Sequence, residues 1–536
     1  MTELDDNIQP VSLTLAPYTG LWTREHAAHL LRRTLYGPTF PQIQQALTLG
    51  MQATVDQLLT LPTTEPPLTF SADDGVSAIG ETWVDKVYPA AAQTAESTRR
   101  LSLFAWLMSR INQGGFSIQE KMSLFWQNHF AAQFAFDSRA SYTYFELLRS
   151  SCLGNFRQLV KDITIDPCML VFLNGASNNK FSPNENYSRE LLELYSIGKG
   201  PQVGDGDYTN YTEQDVAAGA KILTGWTIQN FLSTTVNTTS SAFVSTLHSG
   251  GPKTLSNRFG NAVVNSAGAT EYKNYIDVIF QQTETAKFIC RKIYRWFVNY
   301  DLTSEVESTV INDMANTMIS NNYELLPVLR ELLCSQHFYD LSVRGAIIKN
   351  PMEYAFSMYN SSLSKPTYSL PINTELYYNL YFIIGALGME YAKPPSVGGW
   401  TAYYQAPSYT RLWANSSLVK LRFDLSDNAN ALGGINIQGN RWGVDHIALL
   451  NSLSMPDSAE DVIEDLVLLF CTKGLSDAYK MQLKALLTNG LPDFEWTLQY
   501  NEYLADPTNP DTINPIKSRM TVTLASIFKS ADFQLI

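Results

Sequence analysis

Cysteine is scarce in this chain: five residues (Cys152, Cys168, Cys290, Cys334 and Cys471) among 536, odd in number and never spaced as CxxC. That usage excludes a zinc ribbon, an iron–sulfur cluster and a disulfide-dense scaffold. Charge is also sparse, at 17% against the roughly 25% of an average protein. What charge there is leans acidic, with 38 Lys and Arg against 51 Asp and Glu and a net −13. Broad binding to a phosphate backbone needs clustered cations, so nucleic acid is not expected as a partner, although a local basic patch is left open. No uncharged apolar run reaches the ~18 residues of a membrane span. The longest stretch, Leu380–Met389, is interrupted by Gly385 and Gly388. The opening residues Met1-Thr-Glu-Leu-Asp-Asp6 are acidic where a secretion signal is basic and then apolar, so no export signal is expected there. GxSxG, Walker A, GxGxxG and HExxH patterns are all missing, which leaves serine-hydrolase, P-loop, Rossmann and zincin chemistry without support.

What the chain does have is apolar and aromatic material: 45% apolar residues, including 26 Phe, 28 Tyr and 10 Trp, enough to bury a sizeable core. Helical periodicity dominates. It predicts helices at 23–36, 41–59 (interrupted at Gly50), 97–113 and 117–135 (an antiparallel pair broken at Gly114-Gly115), 139–150, 155–165, 183–197 and 212–224. More follow at 271–281, 283–299, 303–320, 323–336, 351–361, 372–388, 408–422, 459–471, 476–488, 494–504 and 516–530. Residues 227–268 break the pattern with Ser, Thr, Asn and Gly, and Ala242–His248 alternates like a strand, so a small hairpin is expected there. A second is expected within 426–446, around Gly433-Gly434 and Gly439. The fold class is therefore mainly α: a large multi-helix globular array with a small inserted β-hairpin region. Residues 1–19 read as an N-terminal extension and 20–536 as a single domain, with a C-terminal subdomain at about 426–536.

The segment Ser182-Pro-Asn-Glu-Asn-Tyr-Ser-Arg-Glu-Leu-Leu-Glu-Leu-Tyr-Ser-Ile-Gly198 carries the most information. Ser182 and Glu185 have capping-box spacing, with Pro183 at the first helical position and Gly198 as the stop. Glu185, Arg189 and Glu193 then share one face. One reading is an acid–base–acid ladder on a solvated helix, each pair adding roughly 0.2–0.5 kcal/mol. The other places Glu190 or Glu193 in a cleft as general acid/base or metal ligand, fixed by Arg189. Thr212 and Asp215 predict the next cap, and Trp226 follows the Gly225 stop as a packing anchor or pocket wall. The six histidines include no zinc-spaced pair, so a divalent metal would need a set assembled in space, such as His129, His248 and a carboxylate of 183–197. Asp205-Gly-Asp207 resembles part of a calcium loop but lacks its sixth-position glycine and twelfth-position glutamate.

Taken in order, His29-Leu-Leu-Arg-Arg33, Met122–Phe130, Asp166–Met169, Pro183–Leu194, Tyr211–Val216, Leu223–Trp226, His248–Lys253, Lys349-Asn-Pro351 and Pro394–Trp400 resemble the bacterial family called domain of unknown function 1800, DUF1800. The resemblance covers roughly residues 20–536. Two departures stand out: Gln127 replaces a family histidine, and His248-Ser-Gly-Gly251 lacks a family aspartate. Both would weaken a metal site. The resemblance implies an exported protein, encoded beside a sulfatase- or alkaline-phosphatase-like partner, but no activity. Three readings follow. The first is a binding or scaffold protein for a partner protein or glycan, with Arg32, Arg33, Asn184, Glu185, Arg189, Trp226, Lys253 and Trp400 along a groove. The second is a hydrolase-like enzyme with Glu190 or Glu193 as acid/base and His129 and His248 as ligands or proton carriers. The third is a structural cluster in which these charges pair internally.

Overall fold

Helical periodicity carries through most of the chain. The computed structural model describes residues 12–205 and 207–536. Among them 57% are helical, in 23 helices, and the only sheets are two-stranded and antiparallel, so the fold is mainly α. Residues 1–11, the outer part of the expected extension, and Gly206 in the calcium-like loop lie outside the described residues. Residues 12–18 lie along 334–337, with Tyr18 N–H donating to Cys334 O at 2.8 Å and Gln336 N–H to Ala16 O at 2.8 Å. One hydrophobic core runs from Leu15 to Phe533. No helix of the described residues is long and apolar enough to cross a membrane.

Local chemistry sets most boundaries. Thr39 and Gln42 form a capping box that starts Phe40–Leu49, and Gly50, at φ +79°, ends it before Met51–Leu58. Asn350 and Glu353 cap Pro351–Ser361 in the same way, with proline at its first position. Asn415 caps Ser416–Asn430, so the helix expected at 408–422 is instead a 3₁₀ turn, Tyr409–Ala414, followed by a later helix. The expected antiparallel pair also differs. Gly114 and Gly115 take positive φ and Ile118 N–H bonds to Leu58 O, which redirects the chain. Ala92–Gln113 consequently packs chiefly along Leu370–Ala386, with Phe104 stacked on Tyr381 at 4.5 Å, while Gln119–Phe130 packs on Ser138–Ser150.

Both expected hairpins form. Trp226–Gln229 pairs with Ser240–Phe243, and Ile435–Ile437 with Asn440–Trp442. The strand expected over 242–248 stops at Phe243 and gives way to a 3₁₀ turn, Ser245–Leu247. The insertion is fastened to the helices by Asp137, which accepts from Leu232 N–H at 2.9 Å, Thr239 Oγ1 at 2.7 Å and Arg139 Nη2 at 2.9 Å. At the other end of the chain, Ala459–Phe470, Asp477–Thr488, Asp493–Ala505 and Pro510–Lys529 pack on one another, and Ala459–Phe470 meets Arg24–Thr34. That meeting creates the cleft described next.

Candidate functional site

The Ser182 segment does not begin as its spacing predicts. Ser182 and Pro183 are exposed, and the α-helix starts only at Asn186, whose N–H is taken by Asn184 Oδ1 at 2.9 Å. An Asx turn at Asn184 thus replaces the Ser182–Glu185 capping box, because the asparagine side chain reaches its own backbone two residues on. After Glu190 the helix widens into a π-helix, Leu191–Ser196. Glu185 and Arg189 pair at 3.2 Å on a surface where Glu185 keeps 48% of its side-chain exposure, and Arg189 forks onto Glu213 at 2.5 and 2.7 Å rather than onto Glu193. Glu193 accepts from the Tyr211 hydroxyl at 2.9 Å and pairs with Lys199 at 3.4 Å. Glu190 is half-buried and has no hydrogen-bond partner among the described residues. Burial, helped by the neighbouring Glu193 charge, pushes its carboxyl up to about 7.

The two histidines belong to separate networks. The π-helix leaves terminal carbonyls to be capped, and His129 Nε2 donates to Tyr195 O at 3.1 Å while Lys292 Nζ donates to Leu194 O at 3.0 Å. Lys292 also donates to His129 Nδ1 at 3.0 Å, so both ring nitrogens are engaged and the ring is neutral. Burial, and then the Lys292 charge, holds His129 well below the usual imidazole range, and burial with Arg295 brings Lys292 to about 7. His248 stands between Thr224 O at 2.9 Å and Glu271 Oε2 at 3.0 Å, and Lys253 takes the other Glu271 oxygen at 2.5 Å. Trp226 packs edge-on to Tyr272 beside this buried group. Trp400 is buried, its N–H held by Asn128 Oδ1 at 2.9 Å. No group of three or more His, Cys, Asp or Glu is arranged to hold a metal ion among the described residues, and a cation at His129 would face the Lys292 amine, so these donors do not fit a divalent metal.

The tandem arginines lead elsewhere. Arg33 is buried, donates to Val343 O, and leaves Nε and Nη1 unpartnered. Arg32 lines a cleft of about 400 Å³ between the Arg24–Thr34 and Ala459–Phe470 helices and the turns that follow Leu341–Val343 and Phe470. Five cations (Arg24, Arg32, Arg344, Lys473 and Lys480) line it against two carboxylates, Glu25 and Glu464. Lys480 is held by Glu464 at 2.8 Å and Arg24 by the buried Asp465 at 3.3 Å. Arg32, Arg344 and Lys473 have no carboxylate within ion-pair distance among the described residues. Arg32 is only 6% exposed, so its charge is held away from water; it donates to Leu468 O at 2.5 Å, and its Nε, like that of Arg344, has no partner.

The electrostatics favour an anion. Burial lowers Arg32 to about 10, still charged at neutral pH. Burial, with the Asp532 charge, pushes the Cys471 thiol in the same wall up to about 12, so it adds no negative charge. Burial raises Glu25, but the Thr23 hydroxyl, its own backbone and the Arg24 and Arg344 charges bring it below the usual carboxylate range. Leu341, Val467 and Leu468 supply an apolar side. Of these residues only Arg32 was singled out in the sequence, within the His29-Leu-Leu-Arg-Arg33 resemblance. Arg344, Lys473 and Lys480 come from turns and a helix hundreds of positions away, and no local spacing marks them.

A family model described as "Protein of unknown function (DUF1800)" matches residues 29–535. No curated protein and no solved structure matches the chain.

Proposed function

The chain belongs to the DUF1800 family, whose description names no activity, and from that premise we propose that it is a binding protein whose ligand is an anionic group on a sugar-sized unit, held in the cleft around Arg32. One observation carries the reading: a guanidinium that is 6% exposed, with no carboxylate in ion-pair contact among the described residues, lining a basic cleft. A buried unpaired charge costs the fold several kcal/mol unless something compensates it, and an anion entering the cleft is that compensation. A volume of about 400 Å³ lies in the range of small-molecule sites, roughly 300–1,000 Å³. The apolar side suits the carbon face of the same ligand.

The test is thermal denaturation of the full chain in sodium phosphate or sodium sulfate against sodium chloride at matched ionic strength. Both oxyanions stabilise folded chains in general, so the melting temperature is expected to rise more in the wild type than in Arg344→Met. Equal rises in the two proteins would sink the proposal. A second reading, hydrolysis with Glu190 as acid/base, is favoured by that carboxyl being unpartnered and pushed up to about 7. A folded Glu190→Gln variant that retains every hydrolytic activity found in the wild type would remove it.

A further inference from the structure

We infer that the group bound in the cleft is a tetrahedral oxyanion monoester, a phosphate or sulfate ester, rather than a carboxylate; the inference rests on the anion-binding reading above. The three cations without carboxylates come from three separate segments: Arg32 from the Arg24–Thr34 helix, Arg344 from the turn after Leu341–Val343, and Lys473 from the turn after Ala459–Phe470. The second and third segments touch. A side chain at Gly345, φ +64°, would meet Lys473 Cε and Thr472 Oγ1, each at 3.0 Å, so the missing side chain lets the lysine stem lie against the backbone at Gly345, the residue after Arg344.

A carboxylate carries one charge and two oxygens in one plane, and one guanidinium fork can meet both of them. Cations reaching a ligand from three segments are matched by an anion with three terminal oxygens spread in space, as in a phosphate or sulfate monoester. The charge agrees. Lys480 and Arg24 are paired with Glu464 and Asp465, and the Glu25 and Asp532 charges act on Arg32 without ion-pair contact, so the cleft keeps a net positive charge for the ligand. The ester-linked carbon skeleton then rests on Leu341, Val467 and Leu468.

The test is isothermal titration of the full chain with glucose 6-phosphate, glucose 6-sulfate, glucuronate and glucose. At least one ester is expected to bind tenfold or more tightly than glucuronate, with no binding by glucose. The tighter of the two esters identifies phosphate or sulfate as the source. Arg32→Met and Lys473→Met should each weaken the ester by tenfold or more; Lys473 is exposed, so its variant keeps the fold even if Arg32→Met does not. Glucuronate binding as tightly as both esters, with loss in Lys473→Met, would overturn the ester inference while leaving an anion cleft. No binding by any of the three anions would overturn both.

Discussion

Two arginine clusters in this protein are treated in opposite ways. Around the inserted hairpin, Arg99 meets Asp74 at 2.5 Å with neither side chain exposed, and Arg139 meets Asp137 at 2.9 Å with nearly as little exposure. Remaining donors are shared with backbone carbonyls: Arg99 with Val87 O and Arg139 with Asn230 O and Val236 O. Glu96 joins by accepting from the Tyr88 hydroxyl and Ser138 N–H. At the cleft, Arg32 and Arg344 leave Nε unpartnered, and Lys473 has no carboxylate beside it among the described residues. The same residue type thus does two jobs. A guanidinium enclosed by carboxylates and carbonyls fixes the geometry of the chain, whereas the cleft cations, under the proposed function, keep their field for a ligand that arrives from outside.

The contrast breaks first where pairing is complete. Asp137→Ala strands the buried Arg139 guanidinium and frees the 230–239 segment, and chemical denaturation should show a loss of about 3–5 kcal/mol. A loss under about 1 kcal/mol would put the two clusters on the same footing. The opposite result is expected at the cleft. Arg32→Met removes an unpaired buried charge at the cost of one hydrogen bond to Leu468 O, so stability without ligand should stay level or rise by about 1 kcal/mol. A loss of several kcal/mol would recast Arg32 as a structural residue.

Glu190 sharpens the comparison as an unpaired carboxyl of intermediate burial. Its folded value, pushed up to about 7 by burial and Glu193, lies above the ordinary glutamate value of 4.5. The folded state therefore holds the proton more tightly, and stability falls as pH rises from about 4.5 through about 7. Glu190→Gln should match the wild type near pH 4 and exceed it near pH 8. Discounted for solvent screening, the gain is about 1 kcal/mol. Identical pH profiles for the two proteins would place the carboxyl in water.

Most of the architecture was legible because helix period, proline and glycine act locally. The helix at 351–361 and the break at Gly50 are written in neighbouring residues, as is the presence of the Ile435–Ile437 hairpin in its glycines. The π-helix at Leu191–Ser196 was not, since its extra residue is accommodated by His129 and Lys292, which arrive from distant helices to cap Tyr195 O and Leu194 O. The Asx turn at Asn184 prevailed over a Ser182 capping box, a difference of two positions that spacing cannot arbitrate. The ladder through Glu185, Arg189 and Glu193 failed at its last rung because Glu213, on the next helix, offers Arg189 a bidentate partner. The cleft was the least legible part, for its cations share no sequence neighbourhood.

That scattering has a consequence for how the protein comes into being. One wall of the cleft is built from residues 24–32 and the other from residues 464–480. A chain emerging from the ribosome holds the first wall exposed until nearly all the remainder has been made and docked. Under the proposed function, ligand capture would therefore report completed assembly, and a truncated or nicked molecule that has lost the late wall would not imitate it.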